Sequence, residues 1–101
     1  MFFSELEDKL MRPFAKSLRT HPKSLIKMKL QDGEELLVSF DTCYESDNGL
    51  EMDEQGYEEF FCYLFKVRKI LSASKENATA YQEGTFFEIN YHTLPVEMSF
   101  I

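Results

Sequence analysis

Carboxylates dominate the middle of this sequence. Residues 31–65 contain eleven Asp and Glu side chains and no Lys or Arg, whereas residues 1–30 carry seven basic and three acidic side chains. Carboxylates at this density make one another harder to ionise, so a cationic group should approach them. The residues that we predict to bind such a partner are Asp41, Glu45, Asp47, Glu51, Asp53, Glu54, Glu58 and Glu59.

The same carboxylates are compatible with two further roles. The acidic segment could be a solvated loop, neutralised in part by the basic residues before it, which are Lys9, Arg12, Lys16 and Arg19. The carboxylates could also hold Ca²⁺ or Mg²⁺, although their order does not match a calcium-binding EF-hand loop. Zinc has less support, because the cysteines and histidines show no paired spacing. We therefore predict no metal site and no cofactor.

The residue types of a hydrolytic site are present but poorly placed. Cys62, His92 and Asp41 could supply a nucleophile, a base and an orienting group. Cys62 lies among aromatic residues, however, where burial favours the inert thiol. The sequence thus predicts no catalytic residue and no enzyme. Two cysteines are also too few for a disulfide-stabilised small domain, so we expect Cys43 and Cys62 to be free thiols.

Length and charge restrict the class of protein. With 101 residues, the chain is predicted to form a single domain over residues 1–101. Its net charge of −7 argues against direct binding to nucleic acid. The first eight residues hold three acids and no base, unlike a signal peptide. The longest apolar run, residues 60–65, is far shorter than the roughly 20 residues of a membrane-spanning helix. We expect a cytoplasmic protein without membrane contact.

The start of the chain predicts an amphipathic helix. Ser4 and Glu7 have the spacing of a capping box, in which a hydroxyl and a carboxylate satisfy the first backbone amides. Pro13 predicts either a kink or a stop near Met11. The apolar residues that recur at helical spacing, and that we expect to face a sheet, are Leu6, Leu10, Met11, Phe14 and Leu18.

A β-hairpin is predicted next, with its turn at Asp32-Gly33. A two-residue loop would split the apolar residues between both faces, whereas a three-residue loop, 31–33, keeps them together. The longer loop requires a positive φ at Gly33. The pairs that it predicts are Met28 with Leu36, Ile26 with Val38, and Lys29 with Glu35.

The remaining segments predict an antiparallel sheet. Residues 41–56 lose regular period and indicate a long acidic loop, and residues 72–84 indicate a second loop. Residues 57–71 suit a helix or a strand, but their aromatic and β-branched side chains favour a strand. Alternation predicts further strands at 87–91 and 96–100. The fold class is α+β: an N-terminal helix followed by a strongly bent, about five-stranded antiparallel sheet, or a small SH3-like or Sm-like barrel.

The order of these elements resembles, over residues 4–50, the Sm-like RNA-binding fold. The resemblance depends on an Asp-Gly turn at 32–33, a Phe-Asp pair at 40–41 and the later Asn48. The spacing is shorter than in that family and its second motif is absent, so the resemblance implies topology only.

A second resemblance is to uncharacterised small proteins of Gram-positive bacteria, often encoded on mobile elements. It depends on DTCYESDNGL at 41–50, YEEF at 57–60 and NYH at 90–92. This resemblance implies no activity.

The charge pattern leads to three hypotheses about function. The first is a non-enzymatic interaction module that presents the acidic segment, residues 41–59, to a basic protein partner. The second is a nucleic-acid mimic that inhibits a DNA- or RNA-binding enzyme, and the third is Sm-like RNA binding by a ring of copies. Mimicry requires one row of carboxylates on a single face, formed by Asp47, Glu51, Asp53, Glu54 and Glu58. The sequence does not predict the partner's identity or the oligomeric state.

Overall fold

One helix packs against a single antiparallel sheet of five strands. The structure is a computed structural model that describes residues 2–72 and 81–101. Its elements are α1 (Glu5–Thr20), β1 (Leu25–Lys29), β2 (Glu35–Asp47), β3 (Glu59–Ser72), β4 (Phe86–Ile89) and β5 (Glu97–Phe100). The strand order is β4-β3-β2-β1-β5. This confirms the predicted α+β class in its open-sheet form, because β4 and β5 are the two edges of the sheet that the described residues build.

The helix begins where the sequence predicts. The amide of Glu7 donates to the Oγ of Ser4 at 3.1 Å, which satisfies one of the free amides of the first turn. Pro13 lies inside the helix and does not end it near Met11. Of the two predicted outcomes, an early stop is therefore wrong.

The side of α1 that faces the sheet differs from the prediction. Leu6 and Leu10 are 56% and 39% exposed, so their assignment to the buried face is wrong. The cause is the carboxylate of Glu7, which accepts the amide of Phe3 at 2.8 Å and the amide of Phe61 at 2.7 Å. These bonds direct the side chain of Glu7 toward the sheet and leave that of Leu6 exposed. The buried residues of the helix are Glu7, Met11, Phe14 and Leu18.

β1 and β2 form the predicted hairpin. Gly33 has a φ of 91°, and the amide of Leu30 donates to the carbonyl of Glu34 at 2.8 Å across the three-residue loop. The carboxylate of Asp32 accepts the Glu34 amide at 3.0 Å, which stabilises the turn. The predicted pairs Met28 with Leu36, Ile26 with Val38, and Lys29 with Glu35 are all confirmed.

β2 is longer than the sequence predicts. The expected acidic loop at 41–56 is wrong in its first half, because β2 continues to Asp47 and pairs with β3 as far as Glu59. A bulge between Phe40 and Thr42 shifts the register. Beyond it, side chains on both faces of β2 are exposed or half-buried, so backbone pairing with β3 holds the strand.

The other strands follow the predictions closely. The strand interpretation of residues 57–71 is confirmed by β3, and the strands expected at 87–91 and 96–100 correspond to β4 and β5. The predicted loop at 72–84 falls mostly on residues 73–80, outside the described residues. No helix in the parts of the chain that the structure describes is long and apolar enough to span a membrane.

The two faces of the sheet differ because α1 lies on one of them. The ring of Phe14 lies 5.4 Å from that of Tyr63 and 6.0 Å from that of Phe65. We call this side the covered face and the other, which carries Cys62 and Leu64, the open face. The buried core consists of Met11, Phe14, Leu18, Ile26, Met28, Leu30, Leu36, Val38, Tyr63, Phe65, Val67 and Ile89.

Candidate partner-binding surface

The hairpin of β2 and β3 projects beyond its neighbouring strands. β1 pairs with β2 only as far as Ser39, and β4 pairs with β3 only as far as Tyr63. β2 and β3 pair with each other up to Asp47 and Glu59. We call the projecting segment, residues 41–59, the acidic hairpin end. It is the segment that the sequence predicts to bind a partner.

The predicted carboxylates occupy four parts of the acidic hairpin end. Asp41 lies in the bulge at its base, Glu45 and Asp47 along β2, Glu51, Asp53 and Glu54 in the loop, and Glu58 and Glu59 where β3 begins. All are exposed except Glu58 and Glu59, which are half-buried. The fold thus gathers these residues on one projection, with Asp41 set apart at its base.

Asp47 and Glu59 form a pair of like charges. They lie directly opposite each other in the register. The next residues, Asn48 and Glu58, share a backbone hydrogen bond of 3.2 Å, so Asp47 and Glu59 belong to the non-hydrogen-bonded class in which facing side chains are closest. Like charges in this position destabilise a sheet. A cation from a partner would remove that repulsion.

Glu58 differs from the other carboxylates because it is bound within the chain. The hydroxyl of Tyr91 donates to its Oε1, and the Nε2 of His92 lies 3.0 Å from the same oxygen. Because Glu59 shares the covered face with Asp47, its neighbour Glu58 points to the open face. The single row that nucleic-acid mimicry requires is therefore not formed. Sequence reasoning missed this contact, since Tyr91 and His92 are 33 and 34 residues away.

Within the described ranges, 2–72 and 81–101, no Lys or Arg forms an ion pair with a carboxylate of the acidic hairpin end. In these ranges, Arg12 forms an ion pair with Asp8 at 2.8 Å, and the Nε2 of His92 lies 3.0 Å from the Oε1 of Glu58. Arg12 is thus engaged by its own helix. The hypothesis that α1 neutralises the acidic segment has no direct contact to support it.

Backbone and side-chain hydrogen bonds give the loop of the hairpin a defined shape. The Oδ1 of Asp47 accepts the amide of Gly49 at 2.8 Å, and the Nδ2 of Asn48 donates to the carbonyl of Gly56 at 2.8 Å. Gly49 and Gly56 have φ values of 85° and 88°, a region that glycine adopts without strain. The acidic loop is therefore held at both ends.

Two apolar side chains lie among the acids of this loop. Leu50 is 38% exposed and Met52 is 78% exposed. Protein interfaces commonly combine apolar contacts at the centre with a polar rim, and a flexible methionine packs against irregular surfaces. Sequence reasoning missed both residues, although an apolar side chain between acidic residues can indicate an interface of this kind. The loop offers a partner both charge and apolar area.

The ionisation of Tyr57 reports the charge at the acidic hairpin end. Its hydroxyl donates to the Oε1 of Glu59 at 2.8 Å. This hydrogen bond is the main cause that raises the pKa of Tyr57 to about 12, and desolvation, the charge of Glu59 and, least, the charge of Asp47 add to it. The phenol therefore stays protonated and keeps donating to Glu59 at neutral pH.

The two cysteines lie on opposite faces as free thiols, as predicted. Cys43 is exposed, whereas Cys62 is buried among polar neighbours that include Glu88, and this burial raises the pKa of the Cys62 thiol. In the described residues, no group of three or more His, Cys, Asp and Glu side chains is arranged to hold a metal ion.

A family model described as cognate immunity protein YxxD matches residues 7–100. The chain belongs to this family. No curated protein and no solved structure matches the chain. The resemblance to small proteins of Gram-positive bacteria stays a prediction.

Tyr44 and Asp47 both lie in the part of β2 that belongs to the acidic hairpin end. The hydroxyl of Tyr44 donates to Glu88 of β4 across the open face, and this hydrogen bond, with burial, raises the pKa of Tyr44 to about 12. Asp47 instead closes the turn with Gly49. Tyr44 and Asp47 therefore hold β2 at two points of the acidic hairpin end.

Proposed function

We propose that this chain is a non-enzymatic immunity protein that binds a basic surface of a cognate toxin through the acidic hairpin end. The observation that carries the proposal is the projection of exposed carboxylates beyond the sheet, in a chain that belongs to a family of cognate immunity proteins. The binding residues are Glu45, Asp47, Glu51, Asp53, Glu54 and Glu59, with Leu50 and Met52 as apolar contacts. Glu58 is left out because Tyr91 and His92 already engage it.

Charge and shape favour binding to a basic protein surface over mimicry of nucleic acid in a phosphate-binding channel. A negative projection accelerates encounter with a basic surface and disfavours acidic competitors. Met52 adds apolar area at the tip, which suits a protein pocket and not a channel for phosphates. Asp47 and Glu58 point to opposite faces, so the carboxylates do not follow a phosphate backbone.

Affinity capture from the native host tests the proposal when it is followed by a growth assay. The tagged wild-type chain is used at low and high salt, and each captured protein is then produced in a test bacterium with and without this chain. We expect one captured protein to arrest growth alone and to lose that effect when this chain is present. Its capture should weaken at high salt, because exposed charges are screened.

Two variants with equal loss of charge locate the binding surface. Glu51→Gln, Asp53→Asn and Glu54→Gln together should weaken toxin binding roughly tenfold or more and reduce protection. The matched control changes three acids away from the acidic hairpin end: Glu35→Gln, Glu83→Gln and Glu97→Gln. The proposal is wrong if no captured protein is toxic, or if the two variants bind and protect equally.

A further inference from the structure

The outer edge of β2 is unpaired along the acidic hairpin end. β1, the neighbour on that side, pairs with β2 only as far as Ser39, whereas β2 continues to Asp47. Among the described residues, no other strand pairs with this edge. An unpaired edge exposes a row of backbone donors and acceptors that another strand can use. We call β2 residues 41–47 on this side the free edge.

The direction of the backbone groups on the free edge follows from two hydrogen bonds. The amide of Asn48 donates to the carbonyl of Glu58, so alternate residues before Asn48 also face β3. The residues between them, Cys43, Glu45 and Asp47, therefore point their amides and carbonyls away from β3. An independent contact agrees: the amide of Phe61, directly opposite Glu45, donates away from β2 to Glu7 at 2.7 Å.

The charges along the free edge select the strand that can add there. Glu45 and Asp47 are exposed acids, and Asp47 already lies opposite Glu59. A second copy of this chain pairing at the same edge would bring acid against acid, which opposes self-association. A strand with Lys or Arg at alternate positions would instead place cations beside these carboxylates.

We propose that the toxin adds a basic extended segment as a new strand along the free edge of β2. This inference rests on the proposed immunity function and specifies how the complex forms. Backbone hydrogen bonds to Cys43, Glu45 and Asp47 supply affinity, and the carboxylates of Glu45 and Asp47 select a segment with alternating basic residues.

A proline on the free edge blocks such pairing without changing any charge. Cys43→Pro removes an amide that β3 does not use, and edge strands tolerate proline when its missing amide would face solvent. Cys43→Ser is the matched control, because it keeps the amide. We expect Cys43→Pro to bind the toxin captured from the host roughly 10- to 100-fold more weakly than Cys43→Ser does, the loss expected from one or two net hydrogen bonds. Circular dichroism checks that both variants fold.

Amide hydrogen exchange in the wild-type chain gives a test that needs no variant. In the free protein, the amides of Cys43, Glu45 and Asp47 should exchange fast, while those of Thr42, Tyr44 and Ser46 are protected by β3. Bound toxin should slow exchange at Cys43, Glu45 and Asp47 by tenfold or more.

The two proposals fail in different ways. Unchanged exchange at Cys43, Glu45 and Asp47 in the complex, or equal toxin binding by folded Cys43→Pro and Cys43→Ser, overturns strand addition and leaves the immunity function standing. Failure of the wild-type chain to bind and neutralise any captured toxin overturns both.

Discussion

The two halves of the β2–β3 hairpin are built from the same strands but have opposite surroundings. Where α1 covers the sheet, Leu36, Val38, Phe65 and Val67 are at most 1% exposed. At the acidic hairpin end, β2 carries exposed acids and a free edge, and the loop exposes Met52. One half buries its side chains and the other displays them.

Under the proposed function, this difference separates stability from recognition within one hairpin. Buried apolar area in the covered half supplies the free energy of folding, and the projecting half can then retain features that cost stability, such as Asp47 opposite Glu59. Sites that bind a partner often keep local conflicts that the rest of a fold compensates. The contrast predicts that equivalent substitutions have very different effects in the two halves.

Truncation of an aromatic core residue should have the largest effect. Phe65 is fully buried and contacts the rings of Phe14 and Phe87, so Phe65→Ala should lower the free energy of unfolding by about 3–5 kcal/mol. Met52→Ala, at the exposed tip, should change it by less than about 0.5 kcal/mol. Chemical denaturation measures both values. Similar losses would show that the acidic hairpin end contributes to the core, contrary to the comparison.

The joint between the halves should be the next most sensitive position. Glu7 is fully buried and accepts the amide of Phe61, which lies opposite Glu45 of the acidic hairpin end. In Glu7→Gln, an amide group replaces one carboxylate oxygen and opposes a backbone N–H, so we expect a loss of about 1–3 kcal/mol.

The control for Glu7 is Glu5→Gln in the same turn of α1, where the side chain is exposed. It should cost less than about 0.5 kcal/mol. Amide exchange at Phe61 should accelerate in Glu7→Gln and stay unchanged in Glu5→Gln. Equal stability of the two variants would mean that Glu7 does not fasten the helix to the hairpin.

Sequence reasoning succeeds in the covered half because burial leaves a pattern there. The register of β1 and β2 is predictable, since only the three-residue loop ending at Gly33 puts Ile26, Met28, Leu36 and Val38 on one face. Leu6 and Leu10 mislead for a related reason. Apolar periodicity cannot show that the carboxylate of Glu7 occupies the buried side of the helix by accepting two backbone amides.

The sequence shows where the acidic hairpin end lies but does not predict its structure. Its acid content is visible, yet β2 beyond the bulge has no buried face, so no apolar alternation marks residues 41–47 as a strand. The contact of Glu58 with Tyr91 and His92 joins segments far apart in the chain, which a single sequence does not reveal. Long-range pairing decides both features.

Removing one charge from the like-charge pair should have a smaller effect on stability than Phe65→Ala or Glu7→Gln, and the opposite sign. Asp47→Asn keeps an oxygen to accept the amide of Gly49 and removes the repulsion with Glu59. We expect the free energy of unfolding to rise by about 0.2–1 kcal/mol, while toxin binding weakens. The pKa of Tyr57, about 12, should fall only slightly, because the hydrogen bond to Glu59 is the main cause of its elevation and Asp47 contributes the least. Thermal unfolding and ultraviolet titration of the tyrosines measure these changes.

Glu51→Gln supplies the control, because it removes one exposed charge from the loop without relieving a facing acid. It should weaken toxin binding and leave both stability and the pKa of Tyr57 unchanged. If Asp47→Asn lowered the free energy of unfolding instead, repulsion between Asp47 and Glu59 would not be a cost that the fold accepts for binding. If Asp47→Asn raised stability and weakened binding, the pair of Asp47 and Glu59 would both lower the stability of the fold and contribute to toxin binding. Core residues of the covered half, by contrast, contribute to stability.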